Sequence, residues 1–401
     1  MKQLIKTISI LTAGLLLSAC DSNEKSTGPI DIHSQLTAQE SRTLQESDGF
    51  GEKFFNTAVT VNPNGNLLVS PFGAQVMLGM LANATDQATT EEIVSVMGCR
   101  DLSGLNSALA KISTNLPAAD RNTKVTSANS IWYNEKETLL ESFRSALDAT
   151  YGAVFYSTDF SNPEGASRKI NAWCSEKTNG LIPNPIQPES LDNINVLLVN
   201  ALYFNGKWSD PFKASNTQRA VFHGSESDSQ VQMMNKKYDT TVSYYDNCRI
   251  VRIPFGDKVF FIDLILPDEG VDCNDAILNR SLIQEKEVSL TLALPRFELK
   301  NDKATYISRI YEELGCKKLV NSSSMKIFEG KTLNPPLTFQ DAVLKLSEEG
   351  VEAAAVTYSG DMTNAGPATN KDTMIFDRPF ALVIGETSTG VTLFAGRVTK
   401  I

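Results

Sequence analysis

The sequence contains very little histidine, and this excludes most catalytic chemistry. Its two histidines are His33 and His223, whereas Ser-His-Asp and Cys-His arrangements need an imidazole base beside a nucleophile. HExxH, GxGxxG and Walker motifs are also missing from the sequence. His33 lies in a polar stretch, and we interpret His223 as an edge or turn residue. We therefore expect no enzyme, no metal and no cofactor, with a carboxylate-based exported hydrolase as the remaining enzymatic alternative.

The chain also lacks the positive charge that nucleic-acid binding requires. It carries 37 Lys and Arg against 47 Asp and Glu, a formal net charge of −10. Such a surface repels polyanions, so nucleic acid is excluded as a partner. With 41% hydrophobic residues, the chain has enough apolar side chains for the large core of a soluble globular protein.

Long hydrophobic runs are missing too, apart from one short run near the N-terminus. Residues 7–19 are mostly apolar and follow Lys2 and Lys6, but the run is too short to span a membrane. It ends Leu-Ser-Ala-Cys at Cys20, which resembles the lipobox of bacterial lipoproteins. We predict that residues 1–19 are a signal peptide, that Cys20 is lipidated, and that the protein is exported and anchored to the cell envelope, facing the periplasm or the surface. A plain secretory signal with a chance cysteine, giving an extracellular protein, is the alternative.

Two consequences follow for the mature chain. Residues 20–45 are polar and without sustained period, so we predict a flexible tether before a folded domain over residues 46–401. The five cysteines beyond Cys20 have irregular spacing and no CxxC pair, which favours buried free thiols over a disulfide framework.

Local patterns in the domain predict both helices and strands. Phe50, Phe54, Phe55 and Ala58 recur at helical spacing, and a strand over 67–69 leads through Ser70-Pro71 into a second helix. Nearer the C-terminus, residues 288–294 alternate as a half-buried strand, and residues 380–395 read as a hairpin. The fold class is therefore α+β, in one domain.

Residues 347–373 form the longest stretch without a secondary-structure period. Loops of this length in compact domains are usually functional. Its first half is small or β-compatible, and its second half is rich in turn formers. From composition alone, a short helix followed by a mobile surface loop is the simpler interpretation.

Several sequence blocks resemble those of the serpin family, in the family's order. Residues 348–357 (EEGVEAAAVT) are similar to the proximal hinge of inhibitory serpins, and the resemblance extends from about Phe50 to the C-terminus. The other matching blocks are 66–72 (NLLVSPF), 171–173 with 177–180 (NAW, KTNG), 196–204 (VLLVNALYF), 206–208 (GKW), 211–212 (PF), 231–234 (VQMM), 294–297 (LPRF), 377–380 (DRPF) and 394–398 (FAGRV).

This resemblance implies a fold and an activity. The fold would have large mixed β-sheets surrounded by helices and an exposed reactive-centre loop, here called the bait loop, within residues 347–373. A serine protease would cut the loop as a suicide substrate and be trapped as an acyl-enzyme while the loop inserts into the main sheet as a new strand. The implied hinge residues are Glu348, Gly350, Val351, Glu352, Ala353, Ala354 and Ala355. Gly350 would be a flexible pivot, and the inward parity of Val351, Ala353 and Ala355 is small or β-branched, as insertion requires.

The hinge also locates the bait bond. The usual inhibitory spacing of about seventeen residues from Glu348 implies cleavage at Asn364–Ala365, with Met362 and Thr363 as neighbours. Counting back from Pro379 instead gives Ala368–Thr369. Side chains of this size suit elastase-, chymotrypsin- or subtilisin-like proteases, and a cysteine protease is a further possible target.

The resemblance further implies a sheet-opening region. Ser70, Asn200, Trp208 and Gln340 correspond to its shutter and breach positions, and Ser70, Asn200 and Gln340 would form a hydrogen-bonded latch there. The chain departs from the family pattern in having Gly73 in place of a second serine and Gln340 in place of a histidine. Because Gln does not titrate, we expect loop insertion to show no strong pH dependence between about pH 5 and 8.

The expected partners are a target protease and, through the lipid alone, a membrane, and the protein is expected to be a monomer. The alternative within the family is a non-inhibitory serpin that acts as a binding or chaperone module. Such a protein would be expected to lose the small hinge residues, and this chain retains them.

Overall fold

A computed structural model of the chain describes residues 28–301, 305–321, 325–333, 338–340, 342–351 and 370–401. Cys20 and the predicted bait residues 352–369 lie outside these ranges. The helices of the described residues are α1 Ala38–Glu46, α2 Phe50–Val61, α3 Pro71–Ala82, α4 Gln87–Val96, α5 Leu102–Asn115, α6 Glu141–Tyr151, α7 Pro163–Lys177, α8 Cys273–Leu278, α9 Ile307–Leu314 and α10 Lys317–Asn321.

Strands make up most of the C-terminal half. They are β1 Leu67–Val69, β2 Thr123–Asn134, β3 Val154–Thr158, β4 Val196–Gly206, β5 Gln218–His223, β6 Asp228–Tyr245, β7 Cys248–Phe255, β8 Phe260–Pro267, β9 Leu282–Pro295, β10 Phe297–Lys300, β11 Thr305–Tyr306, β12 Met325–Phe328, β13 Lys331–Leu333, β14 Phe339–Gln340, β15 Val343–Ser347, β16 Gly350–Val351, β17 Lys371–Ile375, β18 Phe380–Glu386 and β19 Thr392–Val398. The predicted α+β class is confirmed.

The largest sheet has nine strands and contains the predicted C-terminal hairpin. Its order is β1-β19-β18-β8-β7-β6-β9-β17, with β5 paired to β6. β18 and β19 lie between β8 and β1, and their side chains are almost all buried. Both are therefore interior strands, close to the β1 edge of the sheet.

Smaller sheets provide the setting for the hinge. One has the order β3-β2-β4, and another has the order β10-β15-β16. An isolated antiparallel bridge between Lys207, which follows β4, and Gly350 in β16 joins the two.

Both predicted N-terminal helices are found, and the second has a side-chain N-cap. α3 begins at Pro71, and the side chain of Ser70 accepts a hydrogen bond from the Gly73 amide at 3.0 Å. Every residue of α3 is buried. The helix lies entirely in the core, which explains why residues 71–82 carry no polar face.

The predicted tether is wrong for its described part, because residues 30–45 are folded. The Ile30 amide donates to the Ala119 carbonyl at 2.9 Å, and Ile32 is fully buried. Thr37 and Glu40 form a reciprocal capping box at the start of α1, and Lys111 lies 2.7 Å from the Glu40 carboxylate. Thr-x-x-Glu is a helix-start signature that the polarity of the segment concealed.

Among the helices that the structure describes, none is long and apolar enough to cross a membrane.

Candidate functional site

The predicted hinge begins as a buried strand at the junction of two sheets. β16 pairs antiparallel with β15, in the register Ser347 to Gly350 and Leu346 to Val351. Its other edge reaches Lys207 through the isolated bridge, and the Val351 side chain is 1% exposed. Residue 352 therefore follows a strand that lies between β4 and β15.

Gly350 is required at this junction for two separate reasons. Its φ is +142°, a region that is essentially restricted to glycine. A Cβ atom there would lie 2.0 Å from the Gly206 carbonyl oxygen. The predicted pivot is thus a fixed position of close backbone contact, where any side chain would force the two sheets apart.

Three hydrogen bonds hold the backbone carbonyls of residues 347–349, which precede Gly350. The Trp208 amide donates to Glu349 and the Phe212 amide to Glu348, both at 2.9 Å. The Trp208 indole Nε1 donates to the Ser347 carbonyl, also at 2.9 Å. We call residues 208–212, which supply all three donors, the anchoring loop.

Trp208 is positioned by aromatic packing. Its ring stacks on Phe255 with centroids 4.6 Å apart, and the Phe212 ring meets it edge-on at 6.0 Å. The indole is 3% exposed. This packing places the Nε1–H on the hinge side. The breach role implied for Trp208 stays a prediction, and Phe212 was not singled out as a site residue.

The Glu348 side chain adds polar contacts at the same place. One oxygen accepts from Thr217 Oγ1 at 2.9 Å, and the other lies 3.6 Å from Arg296 Nη1. The Glu348 side chain is 14% exposed and that of Arg296 is 56% exposed. The ion pair is therefore partly screened by water.

Ser70 and Gln340, two of the three predicted latch residues, bond to each other directly. Gln340 Oε1 accepts from the Ser70 amide at 2.6 Å, and its Nε2 donates to the Ser70 carbonyl at 3.0 Å. Gln340 is 4% exposed, so this amide forms a buried two-way bond with the chain at the start of α3.

Asn200 joins this cluster by proximity and bonds elsewhere. Its Nδ2 donates to Asn129 Oδ1 at 2.8 Å, and its Oδ1 is buried without a partner among the described residues. That oxygen lies 2.3 Å from where a Cβ on Gly73 would be. The glycine therefore leaves room for the Asn200 amide, and the predicted three-residue latch is only partly formed.

The far end of the bait loop rejoins the fold at the edge strand β17. β17 runs parallel to β9, and the Ser289 amide donates to the Asn370 carbonyl at 2.8 Å. Met374 is fully buried, whereas Ile375 is 42% exposed. The strand thus has one face in the core and one free of it.

Side chains from β6 and β7 tie β17 down. Asp372 accepts from the Tyr244 hydroxyl at 2.5 Å and from Arg249 Nη1 at 2.9 Å. The same guanidinium nitrogen donates to the Thr373 carbonyl at 3.0 Å. Sequence analysis missed this group, here called the distal clamp, because its members lie far apart in the chain.

The remaining reactive side chains are accounted for structurally. All five described cysteines are buried and none forms a disulfide, as predicted. Burial raises the pKa of Cys99 and Cys248 to about 11 and that of Cys273 and Cys316 to about 12. His223 lies on edge strand β5 with Nδ1 3.1 Å from Asp228 and is largely exposed, as an edge histidine would be.

Comparison with known proteins gives a consistent result. A family model described as serpin (serine protease inhibitor) matches residues 45–401. Serpin-ZX of Arabidopsis thaliana is 28% identical over 84% of this chain and 93% of its own length, and human leukocyte elastase inhibitor is 27% identical over 84% and 94%. The crystal structure of Serpin48 from Tenebrio molitor superposes with a TM-score of 0.75 at 28% identity, covering 90% of this chain and 98% of the other.

Proposed function

We propose that this chain, which belongs to the serpin family, inhibits a serine-type endopeptidase by acting as its suicide substrate. The observation that best supports this proposal is the position of Gly350 and Val351. These two residues already form the first pairs of a strand between β4 and β15. A cut loop has only to continue that strand for its new end to be drawn into the sheet.

The inserted segment would begin at residue 352 and end at the bait bond. We place that bond at Asn364–Ala365, with Met362 and Thr363 beside it, and Ala368–Thr369 remains the alternative. The residues that would follow Val351 into the sheet are Glu352, Ala353, Ala354 and Ala355. Small side chains at inward positions allow a strand to enter a closely packed sheet.

Cleavage would release a mechanical constraint at the other end. Before cleavage, the loop is tethered at Asn370 as well as at Val351. Each inserted residue takes up about 3.3 Å of chain, so deep insertion of an uncut loop would pull on β17. Cutting removes that tension, which explains why insertion would follow cleavage.

We also propose an exported protein with its lipid on Cys20. The target would be elastase-, chymotrypsin- or subtilisin-like, because the sequence from residue 346 to residue 370 contains no Lys or Arg for a trypsin-like pocket.

The test is to mix the purified protein with an elastase-type and a subtilisin-type serine protease. We expect an SDS-stable adduct, and mass spectrometry of the released C-terminal peptide should place the cut at Asn364–Ala365. The matched control is Ala353→Arg, which puts a long cation at an inward hinge position and should convert the inhibitor into a substrate.

Cleavage of the wild-type protein without an adduct, and with no gain in thermal stability, would mean that the loop does not insert. The non-inhibitory alternative would then replace the proposal.

A further inference from the structure

Lys236 is a largely buried charged side chain beside the anchoring loop. It lies on β6 with its side chain 13% exposed, and its Nζ is 2.6 Å from Asp210 Oδ2. The same ammonium donates to the Asp210 carbonyl. Burial lowers the pKa of Lys236, and the Asp210 carboxylate opposes that effect. The ammonium is thus withdrawn from water and directed at one residue.

Two aromatic rings complete the surroundings of this ammonium. The Nζ lies 5.0 Å from the centroid of Tyr238 and 5.6 Å from that of Phe212. A cation over a ring face at these distances is stabilised by the ring quadrupole, more strongly when water is excluded. The contacts reach the anchoring loop at both Asp210 and Phe212.

Asp210 and Phe212 belong to the loop whose donors bind the backbone before Gly350. The Phe212 amide itself binds Glu348, and Trp208, which packs on the Phe212 ring, binds Ser347 and Glu349. Lys236 sits on β6, which is paired with β9 from Met233 to Tyr245. The ammonium therefore connects the anchoring loop to a rigid strand of the largest sheet.

We propose that Lys236 is a positioning residue that fixes the anchoring loop, and through it the starting point of the inserting strand. This inference rests on the proposed function. A loop held in place presents the Trp208 and Phe212 amides to the chain before Gly350, so that insertion begins in one register. A loop released from Lys236 would let that chain shift, and insertion would start more slowly.

A positioning role for Lys236 predicts different changes from those of a general loss of stability. Attack of the protease on the bait depends on residues near the cut, whereas trapping depends on insertion outrunning hydrolysis of the acyl-enzyme. Loss of Lys236 should therefore leave the rate of loop cleavage unchanged and increase the number of inhibitor molecules consumed per protease trapped.

The experiment compares Lys236→Met with Lys237→Met, which removes the adjacent, exposed lysine of the same strand. Hydrogen exchange should be roughly tenfold faster at the Trp208 and Phe212 amides of Lys236→Met and unchanged in the control. The stoichiometry of inhibition should rise roughly twofold or more in Lys236→Met alone. Lys236→Arg, which keeps the charge, should restore most of both properties.

Asp210→Asn tests the same contact from its more exposed side and serves if Lys236→Met does not fold. Exchange at the two amides that matches the Lys237→Met control would overturn the inference. So would faster exchange with an unchanged stoichiometry. If the wild-type protein forms no adduct, the proposed function fails, while the exchange comparison still decides whether Lys236 positions the loop.

Discussion

The two ends of the bait loop are anchored by different kinds of interaction. At the proximal end, Gly350 and Val351 are held by backbone pairing with β15 and by a close approach to Gly206. At the distal end, β17 is an edge strand whose five residues pair with β9 and whose Asp372 is held by the distal clamp.

Under the proposed mechanism, this difference indicates which end would receive the inserting strand and which would resist movement. Backbone pairing can be extended residue by residue, so the proximal junction can accept further residues with small inward side chains as more of the strand forms. A carboxylate held by a phenol and a guanidinium is specific to one residue and one register. Beyond the backbone pairing that both ends share, the distal end therefore depends mainly on a charged group, and the proximal end on a close approach of backbones.

The largest effect should come from adding a side chain to the proximal junction. Gly350→Ala combines a glycine-only φ with a Cβ 2.0 Å from a carbonyl oxygen, and we expect it to cost about 4 kcal/mol of unfolding free energy. Gly270→Ala is the control, because Gly270 has a φ of +80° with nothing within 4 Å of its Cβ. Urea denaturation should show about 1 kcal/mol there, and equal losses for the two variants would remove the close contact from the account.

A smaller loss is expected on breaking the distal clamp. Asp372→Asn removes the charge that two donors share, and hydrogen bonds to charged groups predict a loss of about 2 kcal/mol. Asp263→Asn breaks the Arg252 pair, in which the arginine side chain is 56% exposed, so it should cost less than about 1 kcal/mol. Because the clamp is electrostatic, the Asp372→Asn effect should shrink in high salt, whereas the Gly350→Ala effect should not. Similar salt responses would contradict the distinction between a charged group and a close approach of backbones.

The two ends of the bait loop differ in how much of each could be predicted from the sequence. Ser70 and Pro71 could be placed from a local strand-to-helix pattern, whereas Trp208 and Gly350 were named only through the blocks that resemble the serpin family. Glycine was expected at residue 350 for its flexibility, whereas in the structure it is needed because the Gly206 carbonyl comes so close. That close approach depends on how two sheets meet, which no local pattern shows.

Residues held by distant partners were not predictable in this way. Asp372, Tyr244 and Arg249 sit on three strands, and Lys236 meets its partners only after β6 and the anchoring loop have come together. Their residue types are ordinary for an exposed face, so nothing local marks them. Helix α1 is the opposite case, because its Thr37 and Glu40 signature was present in the sequence and was outweighed by the polarity around it.

The distal end should also respond to high pH. Burial, together with its hydrogen bond to Asp372, raises the pKa of Tyr244 to about 12, above the value near 10 that is usual for tyrosine. The stabilisation is therefore complete below about pH 10 and is lost as the pH rises through 12. Tyr244→Phe should cost about 1 kcal/mol at pH 8, and its difference from wild type should vanish toward pH 12 in urea titrations. A constant difference across that range would indicate that the hydroxyl is not the relevant group.

The smallest effect is expected at the latch, where pH should do nothing. Gln340 bonds the Ser70 amide and carbonyl through a neutral amide, so the rate of loop insertion should vary little between about pH 5 and 8. Gln340→His should introduce a pH dependence centred near the imidazole pKa of about 6.5. A marked pH dependence of the wild-type rate would exclude Gln340 as the controlling group.

The strand order of the nine-stranded sheet also bears on how the protein is made. β1 pairs with β19, which the ribosome supplies roughly 320 residues later, a delay of about 15 to 60 s at ordinary synthesis rates. Until then the apolar strand at Leu67–Val69 has no place in the sheet. The nine-stranded sheet therefore cannot be completed before β19 has been made, and β1 waits without its strand partner while roughly 320 residues are added.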